Sequence, residues 1–197
     1  MRDNISSSRE IILKKVREGK PKEIKLPDVP LYSYPGNSLD SFISNLKSFD
    51  GNVIEFASRN EAIEWLENNI DRNNNNIFSA IVDYHGNKEL SDFKTPHEAH
   101  VVDIAIGEGV LGVAETGSVW VTEESLGLTA AALFSTDLYI LLDKKSIKSG
   151  LHEAYKNIDL AKHQYGAFYT GPSATADIEA VHVTGAQGEI SLTVLLF

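Results

Sequence analysis

Apolar positions recur along this chain with two different periods, and the period changes near its middle. After Ser38, the residues Leu39, Phe42, Ile43, Leu46 and Phe49 return at helical spacing, which predicts an amphipathic helix capped by Ser38. Ala62, Ile63, Leu66 and Ile70 predict a second helix behind Asn60. Ile11, Ile12 and Val16 draw a thinner stripe on an earlier one, with Ser6 to Ser8 as caps and Gly19 as its stop. Asn52 to Phe56 and Ile77 to Val82 read as strands between the helices. Beyond residue 100 the runs shorten to strand length: Val101 to Ile106, Val110 to Ala114, Val119 to Thr122, Leu138 to Leu142, Gly166 to Tyr169, Ile178 to Val183 and Ile190 to Phe197. Leu138 to Leu142 is continuous and apolar, as a strand buried on both faces is. Leu151 to Leu160 reads as one more helix, and Trp65 and Trp120 read as core. The alternation of helix and strand predicts an α/β fold with a largely parallel sheet covered by helices.

Prolines divide the chain. Pro21, Pro27, Pro30 and Pro35 fall within Pro21 to Gly36 and deny that stretch a helix or a central strand. The expected organisation is therefore residues 1–36 as an N-terminal helix and proline-rich connector, and residues 37–197 as an α/β domain.

Composition narrows the function. A chain of 197 residues with 42% hydrophobic and 23% charged residues can bury a core without metal or disulfide. The net charge of −10 argues against nucleic acid as a partner. There is no cysteine, so this sequence offers no thiol nucleophile, thiolate zinc site or cysteine-ligated cluster. The polar N-terminus has no signal-peptide core, and no apolar run reaches a membrane span. These features predict a cytoplasmic protein without membrane contact.

Three glycine-bearing turns carry the candidate chemistry. Ala114-Glu115-Thr116-Gly117-Ser118 joins two apolar runs. Glu115 there is a candidate base or nucleophile, or the solvated acid of a hairpin, and Thr116 and Ser118 offer hydroxyls to a carboxylate or phosphate. Gly171-Pro172-Ser173-Ala174-Thr175-Ala176-Asp177-Ile178-Glu179 combines a permissive glycine, two hydroxyls and two acids. On one strand, Asp177 and Glu179 would face the same side. Gly185-Ala186-Gln187-Gly188-Glu189 reads as a hairpin between the last two strands. His97, His100 and Asp103 are three apart, but Pro96 and the β-branched Val101 and Val102 argue against a helix there, and no metal site is assigned. Gly107 to Gly112 fits the spacing of a dinucleotide loop, yet a strand-like run follows it instead of a helix.

Taken together, these turns resemble the LUD domain family, which includes the LutC-type lactate-utilisation proteins. The resemblance rests on Ser8 to Leu13, Ala114 to Ser118, the Gly171 to Glu179 segment, and the Gly185 to Gly188 connector with its apolar final strand. It implies the NagB/RpiA/CoA transferase-like fold and a role as subunit or accessory in lactate (2-hydroxy-acid) oxidation. It implies no cofactor on this chain alone and iron–sulfur clusters on partner proteins. The ligand surface it implies takes a small carboxylate or other anion where the Thr116, Ser173 and Gly185 turns meet at strand ends. Its residues would be Thr116, Gly117, Ser118, Gly171, Pro172, Ser173, Thr175, Asp177, Glu179, Gly185, Gln187 and Gly188. The family pattern has Arg where Ala174 stands, and His and Pro at Gln187 and Glu189. Ala174 cannot supply the bidentate grip of an Arg, and Gln187 cannot titrate as His does. The alternative is a stand-alone small-molecule-binding protein or enzyme of the CoA-transferase-like superfamily, with Glu115 as nucleophile.

Overall fold

The computed structural model describes residues 3–21, 24, 25, 27, 28, 30 and 38–197. The chain divides into two compact units, Met1–Pro30 and Leu31–Phe197. In the first, helix α1 spans Asp3–Glu18 and stops where the Gly19 N–H bonds the Lys15 carbonyl at 2.9 Å. Ile11, Ile12 and Val16 stand exposed on it. The expected turn at Pro35-Gly36-Asn37 lies outside the described residues.

The second unit opens with α2 (Ser38–Ser48), β1 (Asn52–Glu55), α3 (Arg59–Asn69) and β2 (Ile77–Ser79). Ser58, not Asn60, caps α3: its side chain accepts from the Glu61 N–H. A 3-10 helix, Pro96–Val101, takes the start of the run read as the next strand, because proline fixes its first turn. The strand itself, β3, is Ile104–Glu108. Then follow β4 (Leu111–Val113), β5 (Ser118–Thr122), α4 (Glu123–Leu126), α5 (Thr129–Phe134), β6 (Asp137–Leu142), α6 (Leu151–Lys156), β7 (Gly166–Tyr169), β8 (Ala174–Ile178), β9 (Val181–Thr184) and β10 (Ser191–Leu196).

Five strands pair in parallel in the order β1-β10-β6-β3-β2. The two strands with the longest apolar runs, β6 and β10, lie inside this sheet, and their side chains divide between its faces. Leu138, Ile140 and Leu142 join Leu192, Val194 and Leu196 in a core with Phe42 and Leu46 of α2, Ala131 and Ala132 of α5, and Val119 and Val121 of β5. Leu141 and Leu195 point the other way, against Ala62 and Leu66 of α3. The second sheet, β4-β5-β7, is antiparallel, and its outer side packs Trp120 near Ala154 of α6.

Two readings of the sequence are corrected here. The Ile178 to Val183 run is not one strand. β8 and β9 form an antiparallel hairpin that turns at Glu179 and Ala180, both at positive φ (52° and 59°). Asp177 and Glu179 therefore do not share a strand face. Gly185 to Gly188 is also no hairpin turn, because β9 pairs with β8 while β10 enters the parallel sheet.

The interior of β6 carries much of this packing. Replacing the fully buried Leu138 by Ala is expected to cost about 2–5 kcal/mol of unfolding free energy, measured by urea denaturation with the slope unchanged.

Candidate functional site

The amino ends of the parallel strands and the glycine turns meet around the end of α2. Residues Ala114 to Gly117 turn β4 into β5, with the Gly117 N–H on the Val113 carbonyl at 2.8 Å. Asn45 of α2 clamps this turn: its amide donates to the carbonyls of Ala114 (2.7 Å) and Glu115 (3.1 Å). Gly117 has φ +68°, and a Cβ there would stand 2.2 Å from the Leu46 nitrogen. Only glycine lets the turn come so close. Gly171, at φ +73°, meets the same helix end, where a Cβ would stand 1.8 Å from the Phe49 carbonyl oxygen.

Between these contacts lies a cleft of about 440 Å³ lined by Phe49, Glu115, Thr116, Ser118 and Thr170. Buried Ser118 donates to the Thr116 hydroxyl at 2.7 Å and shares a short bond with Thr170. A serine has one proton to give. With that proton on Thr116, Thr170 donates to Ser118, and the Thr116 hydroxyl, which lines the cleft, keeps its own proton for a further acceptor. Glu115 takes a structural post at the rim. Its Oε2 accepts the Leu151 N–H at the start of α6 at 3.0 Å.

The Gly171-Pro172-Ser173 turn continues from Thr170 and meets the Gly185 to Gly188 connector. Ser173 donates its N–H to the Glu189 carbonyl (3.1 Å) and accepts from the Gly185 N–H (2.6 Å). Gly188 packs on the Ser173 side chain, where a Cβ would stand 2.9 Å from that of Ser173. Thr116, Gly117, Ser118, Gly171, Pro172, Ser173, Gly185 and Gly188 thus form one connected region. The structure keeps the remaining predicted residues apart. Thr175, Asp177 and Glu179 belong to the β8–β9 hairpin, where Thr175 accepts the Asp177 N–H at 3.2 Å, and Asp177, Glu179 and Gln187 are exposed. His97 and His100 are exposed on the 3-10 helix, with the His100 ring on the His97 carbonyl, while Asp103 accepts the Asn76 N–H at 2.7 Å.

Glu189 was legible in sequence only as added charge in a turn, yet it is 4% exposed. Burial pushes its carboxyl up from the usual range. Burial also pushes up the neighbouring Tyr169 phenol, which the Tyr165 hydroxyl at 3.3 Å and the Glu189 charge raise further. The signal available in sequence was a Glu directly before an apolar strand.

The carboxyl ends of the strands, where open parallel sheets bind ligands, hold a second group that the sequence reading missed. Arg59, at the start of α3, forks onto Asp83 (2.6 and 3.0 Å) and Glu108 (2.7 and 3.2 Å). Its guanidinium lies 5.4 Å from the centre of the Phe197 ring. The Arg59 bond holds the Asp83 carboxyl below its usual range. Beside this fork is a cleft of about 550 Å³ lined by Ala80, Glu108, Gly109, Val110, Thr122, Glu124, Ser125 and His163.

A family model described as the LUD domain matches residues 86–197, a stretch that holds β3 to β10 and all three glycine turns. The chain belongs to the LUD domain family. The crystal structure of a DUF162 family protein from Deinococcus radiodurans superposes on this LUD chain with a TM-score of 0.63, at 12% identity, over 81% of this chain and 95% of that one. At that identity the likeness speaks for the fold. It extends beyond the matched LUD stretch. Comparison with curated proteins finds no match. Among the described residues, no helix is long and apolar enough to cross a membrane.

Two outcomes test this geometry. Gly171→Ala is expected to lower stability by on the order of 3 kcal/mol, from strain at positive φ together with the clash on Phe49, read by urea denaturation. For Glu189, burial raises the folded-state pKa above the unfolded value. The acid therefore stabilises the fold below its unfolded pKa, and that contribution is lost as pH rises through the folded value. Glu189→Gln, which mimics the protonated form, is expected to raise Tm at pH 8 and to match the parent near pH ~4, measured by calorimetry across that range.

Proposed function

We propose that this LUD-domain chain is the non-redox component of a system that oxidises lactate or a related 2-hydroxy acid, working in the cytoplasm beside partner proteins that carry iron–sulfur clusters. Membership of the LUD family over residues 86–197 is the observation that carries this reading. The sequence has no cysteine, so cysteine-ligated clusters in such a system belong to other chains. The ligand surface is the cleft at the amino ends of the strands, with the Thr116 hydroxyl as a directed donor to a carboxylate or hydroxy-acid oxygen. Neutral donors do this work because Ala174 brings no guanidinium to the region. Glu115 serves as the anchor of α6 through Leu151 and not as an acyl nucleophile.

Reconstitution tests the reading. Partner proteins supplied with lactate and an electron-accepting dye should lose most of their rate when this chain is left out. Full oxidation without it would end the proposal. In the isolated chain, Thr116→Val should weaken lactate binding roughly tenfold, the worth of one hydrogen bond to a charged acceptor, as followed by NMR titration.

A further inference from the structure

The cleft at the carboxyl ends of β2 and β3 has a donor set on its wall that the proposed function does not use. Glu123 and Glu124 open α4, and His163 lies in the loop between α6 and β7. One ligand atom from each of these three side chains lies within 4.8 Å of the other two. Glu124 Oε2 and His163 Nδ1 are 3.0 Å apart. Two donors each about 2.1 Å from a tetrahedrally coordinated ion are about 3.4 Å apart, so this hydrogen-bonded pair would open by a few tenths of an ångström to bracket one.

The third donor is held by the segment that delivers the histidine. The Glu123 carboxylate accepts the N–H groups of Gln164 (2.5 Å) and Tyr165 (2.9 Å). Those bonds fix the loop on α4 directly after His163. A carboxylate has about four lone-pair positions, so Glu123 keeps capacity for an ion. The Glu124 backbone N–H and the Thr122 side chain hold the Glu124 carboxyl below its usual range, so it is anionic at neutral pH.

Two of these donors border a cleft. Glu124 and His163 line its volume of about 550 Å³ together with Glu108 and Ser125. It lies beyond the carboxyl ends of parallel strands, the usual ligand position of such sheets. Arg59 does not serve as its counter-charge, because Asp83 and Glu108 already bind its guanidinium on both sides. Glu124 and His163 on this wall, with Glu123 beside them, offer two carboxylates and an imidazole, a set of oxygen and nitrogen donors suited to a borderline cation.

We propose that Glu123, Glu124 and His163 form a binding site for a first-row divalent metal ion such as Zn²⁺, with its remaining coordination positions open to the cleft. An ion with three protein ligands and an open position is the arrangement that admits water or a small oxygen ligand. Binding replaces the Glu124–His163 hydrogen bond with two bonds to the ion.

The test uses the full, untagged, metal-free chain. It is titrated with ZnCl₂ by calorimetry and with CoCl₂ by visible absorption. One ion per chain is expected, with d–d bands of Co²⁺ that change in His163→Gln. Glu124→Gln and His163→Gln should each weaken Zn²⁺ binding at least tenfold, while His182→Gln, on the exposed β9 strand, leaves it unchanged. Absence of saturable binding to the parent chain overturns the proposal, as does equal affinity in the Glu124 and His163 variants. Should His163→Gln fail to fold, Glu124→Gln decides alone, since that side chain is 61% exposed and its loss spares the core.

Discussion

The end of α2 lies in backbone contact with two glycines from distant parts of the chain. Gly117 fits against Leu46, and Gly171 fits against Phe49. Asn45 then fastens the first of these turns through two carbonyls. Neither contact tolerates a side chain, so the approach is set by what glycine lacks. Much else depends on this junction. It brings β5 and the end of β7 beside the amino ends of the parallel strands, and it leaves the hydroxyls of Thr116, Ser118 and Thr170 facing one cleft. Without the close approach, Ser118 and Thr170 would still face each other across β5 and β7, but no wall from Phe49 would enclose them.

The clefts at the two ends of the parallel sheet differ in electrostatic character. The amino-end cleft is lined by the hydroxyls of Thr116, Ser118 and Thr170 with Glu115 at its rim, and Glu189 is buried nearby in acid-favouring surroundings. At the carboxyl ends the groups are charged: Arg59 is divided between Asp83 and Glu108, and Glu123, Glu124 and His163 gather next to them. Burial decides the first and hydrogen bonding the second. Glu189 can be accommodated away from water only at a cost to its charged form, whereas hydrogen-bond donors hold the Glu124 and Asp83 carboxyls below their usual range.

The sheet was legible because burial on both faces demands continuous apolar runs, and Leu138 to Leu142 and Val194 to Phe197 are such runs. Helical spacing likewise marked α2 and α3. The Thr116 and Ser173 turns were legible as glycine-and-hydroxyl segments, and they do meet in space. The β8–β9 hairpin was not legible, because its turn residues, Glu179 and Ala180, occupy positive φ without being glycine, and nothing in their side chains announces that. Arg59, Asp83 and Glu108 were missed for a different reason. Asp83 and Glu108 are 24 and 49 positions from Arg59 in sequence, and nothing local distinguishes any of the three from an ordinary surface charge.

By itself, the sequence determined the α/β class, the central strands, the freedom from cysteine chemistry and the turns by which the LUD family is recognised. These follow from local rules: period, run length and the conformational allowance of glycine. Only the tertiary structure decided which cleft gathers hydroxyls and which gathers charge, that Glu115 caps a helix, and that Glu189 is buried. Those outcomes depend on strand order and on contacts between residues far apart in the chain. A one-dimensional pattern does not contain them, because the same local elements could be arranged in a different order with the same periods.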